Sequence, residues 1–166
     1  MKLSNVLRLR LSSHIGSMEI LGLFNVLSTS VPRVPAFESM IHLETEYSHA
    51  DTVLKFLQFT PNLESLAIVG GWFNKVNEDA FTSNLVPSCL LLHLKTIEVR
   101  KFEGRPEELK LVKYIWTNAR ILQVLIIQSG TSKTIVALEK KTQIMEMLLM
   151  NPRASTSCKV KFQFPK

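Results

Sequence analysis

Cysteine is nearly missing from this 166-residue sequence: Cys89 and Cys158 are its only two, far apart in the chain. So sparse a pair does not make a disulfide scaffold and fits a reduced, intracellular protein of cytoplasm or nucleus. No apolar run approaches the roughly 18 residues of a membrane span, so no membrane partner is expected. Met1-Lys2-Leu3 leads into Arg8 and Arg10 on an alternating pattern, unlike a signal peptide.

The signatures of chemistry are missing as well. Cys89 and His93 are four apart, but Leu90, Leu91 and Leu92 between them read as core. His42 and His49 are separated by the loop-like Glu46-Tyr47-Ser48. No second pair completes a zinc spacing, so no metal is expected. Gly70-Gly71 lacks a following Lys-Ser or Lys-Thr and reads as a turn, not a phosphate loop. No Gly-x-Ser-x-Gly occurs. Glu107-Glu108 read as a helix start rather than an acid/base pair. We therefore expect no catalytic residue and no cofactor. Lys and Arg outnumber Asp and Glu by 20 to 14, a net charge of +6. The positive residues are scattered, with Lys140-Lys141 the best cluster. A nucleic-acid binder concentrates them on one element, so no nucleic acid is expected.

What is present is a well-patterned stretch at residues 86–128. Residues 94–100 read as a strand with Ile97 and Val99 inward and Glu98 and Arg100 outward. Glu103-Gly104-Arg105 is a turn, and Pro106 stands at the first helical position, where a missing N–H costs least. Leu109, Val112, Ile115, Trp116 and Ala119 follow on one helical stripe. Residues 121–128 then repeat the strand: Leu122-x-x-Leu125-x-Ile127 matches Leu94-x-x-Ile97-x-Val99, 28 residues on (122 − 94). A strand and helix recurring at this spacing is the pattern of leucine-rich repeats.

Three blocks, PSCLLLHLKTIEVRKFEG, EELKLVKYIWTNARILQVLII and NPRASTSCKVKF, resemble the FBD domain. In plants that domain closes the C-terminus of many F-box proteins with leucine-rich repeats. The resemblance implies an α/β fold: a leucine-rich-repeat solenoid of parallel strand–helix repeats closed by a C-terminal FBD segment. Residues 1–85 would be divergent repeats, and residues 86–166 the FBD domain continuing the same solenoid. It also implies a non-catalytic protein-interaction module, similar to the substrate-recognition part of an F-box ubiquitin-ligase adaptor. No F-box precedes the repeats here, so the Skp adaptor is not an expected partner of this chain. A second reading is a stand-alone scaffold or inactive fragment with no ligase link.

The rest of the chain fits the repeat pattern more loosely. Residues 5–11 open in a strand with Val6, Leu9 and Leu11 apolar. Residues 18–27 are strand or buried helix, and the prolines at 32 and 35 mark a loop. Residues 39–47 are the next strand, with Leu43 inward. Asp51 caps a short helix carrying Val53, Leu54 and Leu57, stopped by Thr60-Pro61. Leu63-x-x-Leu66-x-Ile68 is the clearest repeat strand. Equivalent positions Val6, Met40, Leu63, Leu94 and Leu122 give steps of 34, 23, 31 and 28. Residues 70–84 read as an insertion carrying Trp72 and a helix start at Asn77-Glu78-Asp79. Residues 135–150 read as a last helix with Leu138, Met145, Leu148 and Leu149 inward, stopped by Asn151-Pro152. The chain closes on an alternating strand whose polar face carries Lys159, Lys161 and Gln163.

Alternation also defines a candidate binding surface. His42, Glu44 and Glu46 point outward from one strand; Ser65, Ala67 and Val69 from the next; Thr96, Glu98 and Arg100 from the third. Stacking would gather them into a ribbon on the concave side, where solenoids bind protein partners. His42, Glu44, Glu46, Thr96, Glu98 and Arg100 are the candidate partner-binding residues.

Overall fold

A computed structural model describes residues 7–11, 38–46, 50–70, 81, 85–131 and 134–165. The expectations for residues 18–35, for Trp72 and for Asn77-Glu78-Asp79 lie outside these. The fold is α/β. Strands β1 (Leu7–Leu11), β2 (Met40–Glu46), β3 (Ser65–Val69), β4 (Thr96–Phe102), β5 (Val124–Ser129) and β6 (Lys159–Gln163) form one sheet in chain order. Every neighbouring pair is parallel. Parallel neighbours need a crossover. Helices lie on four of these: α1 (Ala50–Phe59), α2 (Ser88–Leu92), α3 (Pro106–Asn118) and α4 (Ile135–Met150).

The register reproduces the spacing read from the sequence. Leu9 pairs with Leu43, Leu43 with Leu66, Leu66 with Ile97 and Ile97 with Leu125. The steps are again 34, 23, 31 and 28, and Val160 extends the row 35 residues on (160 − 125). Leu43, Leu66, Ile97 and Leu125 are buried in one core with Val53 and Leu57 of α1, Leu90 of α2, and Leu111, Val112 and Ile115 of α3. Leu63, Leu94 and Leu122, three residues ahead in their units, are buried too. Where the strands enter the sheet, the backbone bonds recur. The Glu64 carbonyl accepts from Lys95 and Thr96, that of Lys95 from Gln123 and Val124, and that of Gln123 from Lys159.

Strand β4 departs from simple alternation. Ile97 and Val99 face the core, and a strict period of two would bury Lys101 next. Instead the β4–β5 register shifts between Val99 and Phe102, and Lys101 takes a left-handed φ of 54°. The extra residue of this bulge reverses the parity: Lys101 stays exposed and Phe102 enters the core. Gly70 and Gly130, just past β3 and β5, flank the bulge. A Cβ on either would meet the Lys101 carbonyl oxygen at 2.8 Å and 3.1 Å.

Helix α3 starts as expected at Pro106. Glu108 bends back so that one carboxylate oxygen accepts from the backbone N–H groups of Glu103 and Arg105, each at 3.0 Å. That is the glutamate half of a capping box; the Arg105 side chain has no acceptor to complete it. Helix α4 is capped by Thr134, whose hydroxyl oxygen accepts from the Ala137 N–H at 3.2 Å. Trp116 joins the two helices. Its indole N–H is shared between the carbonyls of Leu148 (3.1 Å) and Asn151 (3.2 Å), filling acceptors that a helix end leaves open.

Four local expectations are corrected. Helix α1 begins at Ala50, so Asp51 falls inside its first turn and not at the capping position before it. Strand β5 begins at Val124; Ile121 precedes it in a turn and is exposed. Leu92 is 63 % exposed at the end of α2 and is not core. In α4 the buried residues are Ala137, Ile144 and Leu148, whereas Leu138 and Leu149 face outward. That helix is apolar on more than one side, and the Trp116 contact fixes which side turns in.

Candidate functional site: the face of the sheet opposite the core

Core-facing residues alternate with residues on the other face of the sheet, so parallel register assembles that face row by row. His42 pairs with Ser65 and Ser65 with Thr96; Glu44 pairs with Ala67 and Ala67 with Glu98; Glu46 pairs with Val69 and Val69 with Arg100. All six expected residues therefore share one face, as three cross-sheet rows. The first two rows continue into Val124 and Ile126 of β5 and Lys159 and Lys161 of β6; past the bulge, Gln128 pairs with Gln163. On the other side Arg8 and Arg10 occupy the register positions beside His42 and Glu44.

Arg100 organises the centre. One guanidinium nitrogen lies 2.9 Å from a Glu98 oxygen on its own strand, and the other reaches across β3 to Glu44 at 3.2 Å. The path is open because the residue between Glu44 and Glu98 is Ala67, whose methyl group leaves room. The hydrogen bond to Glu98, then its charge and that of Glu44, hold Arg100 more firmly protonated against the opposing cost of burial. Glu44 is only 7 % exposed and Val69 8 %, so neither is the open position that alternation implied. Small residues at 65 and 67 also leave a depression of about 210 Å³, lined by His42, Leu43, Glu44, Ser65 and Ala67.

Neither cysteine lies on this face of the sheet. Cys89 is buried in the core, its thiol donates to the Leu57 carbonyl at 3.4 Å, and burial pushes its pKa up to about 12. Burial also raises Cys158. Both thiols are free. Among the described residues no three His, Cys, Asp or Glu side chains are grouped as metal ligands, and no helix is long and apolar enough to cross a membrane. The Arg100–Glu44 pair, 56 residues apart in sequence, had no local signal. The β5 and β6 members of the face did have one, in the alternation of Val124, Ile126 and Gln128 and of Lys159, Lys161 and Gln163.

Residues 83–127, comprising α2, β4, α3 and most of β5, match the FBD family. An FBD-associated F-box protein of Arabidopsis thaliana is 29 % identical over 76 % of the chain. An F-box protein of the same plant is 33 % identical over 98 % of it. The chain is thus similar along most of its length to F-box proteins, FBD-associated ones among them, and carries the FBD match within it. A putative F-box/LRR-repeat protein of A. thaliana is 31 % identical over 97 % of the chain. The matched regions make up 27 %, 36 % and 38 % of these three relatives, so the chain spans about a third of their length. No solved structure matches. Thr96, Glu98 and Arg100 fall within the FBD match, and His42, Glu44 and Glu46 precede it.

Proposed function

We propose that this chain is a non-catalytic protein-interaction module: a leucine-rich-repeat solenoid with divergent repeats over residues 1–85 and an FBD segment over residues 86–166. Strands stacked in chain order at irregular repeat-like steps support the solenoid reading, as do the F-box/LRR names of the relatives. The partner is a protein held on the face of His42, Glu44, Glu46, Thr96, Glu98 and Arg100. The observation that carries this is the Glu44–Arg100–Glu98 cluster laid across three strands on the face away from the core. A charge cluster ordered on a flat sheet offers directional contacts to another surface and no reaction centre.

In the family context the module serves as the substrate-recognition part of an F-box ubiquitin-ligase adaptor, in a reducing compartment consistent with two free buried thiols. The Skp adaptor is not a partner of this chain alone; micromolar co-purification of the two would overturn that part. The face itself is tested with Thr96→Arg, which places bulk and charge in the row of His42 and Ser65 without removing a partner of Glu44. A pull-down from plant extract should lose partners captured by the wild type, with the thermal midpoint unchanged. Identical partner sets from two equally stable proteins would remove the face from the site.

A further inference from the structure

Among the described strands, β6 stands at one end of the sheet and has a neighbour on one side only. The Lys159 N–H donates to the Gln123 carbonyl at 2.8 Å. In a strand, the N–H and C=O of one residue point to the same side, and successive residues alternate. The backbone groups of Lys159, Lys161 and Gln163 are thus directed at β5, and those of Val160 and Phe162 at the outer edge. Above that edge Lys159 and Lys161 are exposed on one face, while Val160 and Phe162 pack against the core on the other.

We propose that this edge receives an extended acidic segment of a partner protein, which adds a seventh strand with carboxylates beside Lys159 and Lys161 and apolar side chains continuing the row of Val160 and Phe162. Edge pairing supplies backbone hydrogen bonds, and opposite charges directly across strands favour one partner chemistry over another. A second copy of this chain is a poor occupant. Its β1 would continue the sheet with Arg8 and Arg10 in the rows of Lys159 and Lys161, since β1 sets those arginines beside His42 and Glu44. An antiparallel β6–β6 pair would likewise set lysines against lysines.

The proposal is tested by calorimetric titration of the chain with a capped decapeptide of alternating valine and glutamate, its valine–lysine counterpart, and an N-methylated copy of the acidic peptide. The acidic peptide should bind at least tenfold more tightly than the other two. The double variant Lys159→Glu, Lys161→Glu should reverse the preference towards the lysine peptide without changing the thermal midpoint, since both side chains are exposed. Lysines that merely protect the edge predict no binding of any peptide, which would overturn the proposal. Equal binding of the N-methylated peptide, or complete displacement by an oligonucleotide of matched charge, would overturn it too by reducing the site to simple anion attraction. Concentration-dependent self-association in sedimentation would give the edge to a second copy. None of these readouts depends on Thr96 or Arg100, so the edge and the sheet face fail separately.

Discussion

Helices α3 and α4 sit side by side and bury themselves by different logic. In α3 the charged residues Glu107, Lys110 and Lys113 leave one continuous apolar side, and Val112, Ile115 and Trp116 are buried as their spacing requires. Helix α4 is apolar almost all round. Ile135, Leu138, Met145 and Leu149 make one seven-residue seam, and Ala137, Ile144 and Leu148 another. Periodicity cannot choose between two seams of equal quality; a tertiary contact does. Here the contact is the Trp116 indole, which reaches the Leu148 and Asn151 carbonyls.

The largest expected effect is that of Trp116→Ala. It removes a buried aromatic and leaves two carbonyls at the end of α4 without this donor, so a loss of about 3–5 kcal/mol is expected in urea unfolding. A loss under about 1 kcal/mol would separate the two helices energetically and break the comparison. Next comes the pair Leu148→Ala and Leu149→Ala. The first side chain is 3 % exposed and the second 83 %, so losses of about 2–5 kcal/mol and within about 0.5 kcal/mol are expected. Equal losses would restore the other seam as the buried one.

The smallest effect concerns pH and the start of α3. Glu108 is 1 % exposed, and one of its carboxylate oxygens has no hydrogen-bond partner. Burial raises its pKa, offset in part by the backbone N–H groups of Arg105, Glu103 and Gly104. With the folded value above the unfolded one, the stabilising contribution is complete below the unfolded pKa. It is lost as pH rises through the folded value. Urea midpoints should therefore fall from acid towards neutral pH in the wild type and less steeply in Glu108→Gln. Parallel curves would mean that another group carries the slope.

The sequence made the core legible wherever burial was local and periodic. Leu43, Leu66, Ile97 and Leu125 were placed inward, and the Pro106 start of α3 followed from position alone. It failed where distant parts decide. The rotation of α4 goes with the Trp116 contact, and Glu44 meets Arg100 only across β3. The switch from Lys101 to Phe102 needs a bulge that three residues of ordinary type do not announce. The six face residues were legible as a face because register preserves parity. Their electrostatics were not, because an ion pair across an intervening strand leaves no trace in local pattern.

Strands that pair only with their chain neighbours set the dynamics of the molecule. Each pairing closes a segment of only 23 to 35 residues, so every unit can assemble on the one before it without waiting for a distant part of the chain. Opening can run the other way, from an outer unit inward, breaking one interface at a time. Amide exchange should then be slower in β2, β3, β4 and β5, which have a strand on both sides, than in β1 and β6 at the two ends. The strand offered to a partner is thus one of the two held least tightly, and occupation of its edge would slow exchange there first.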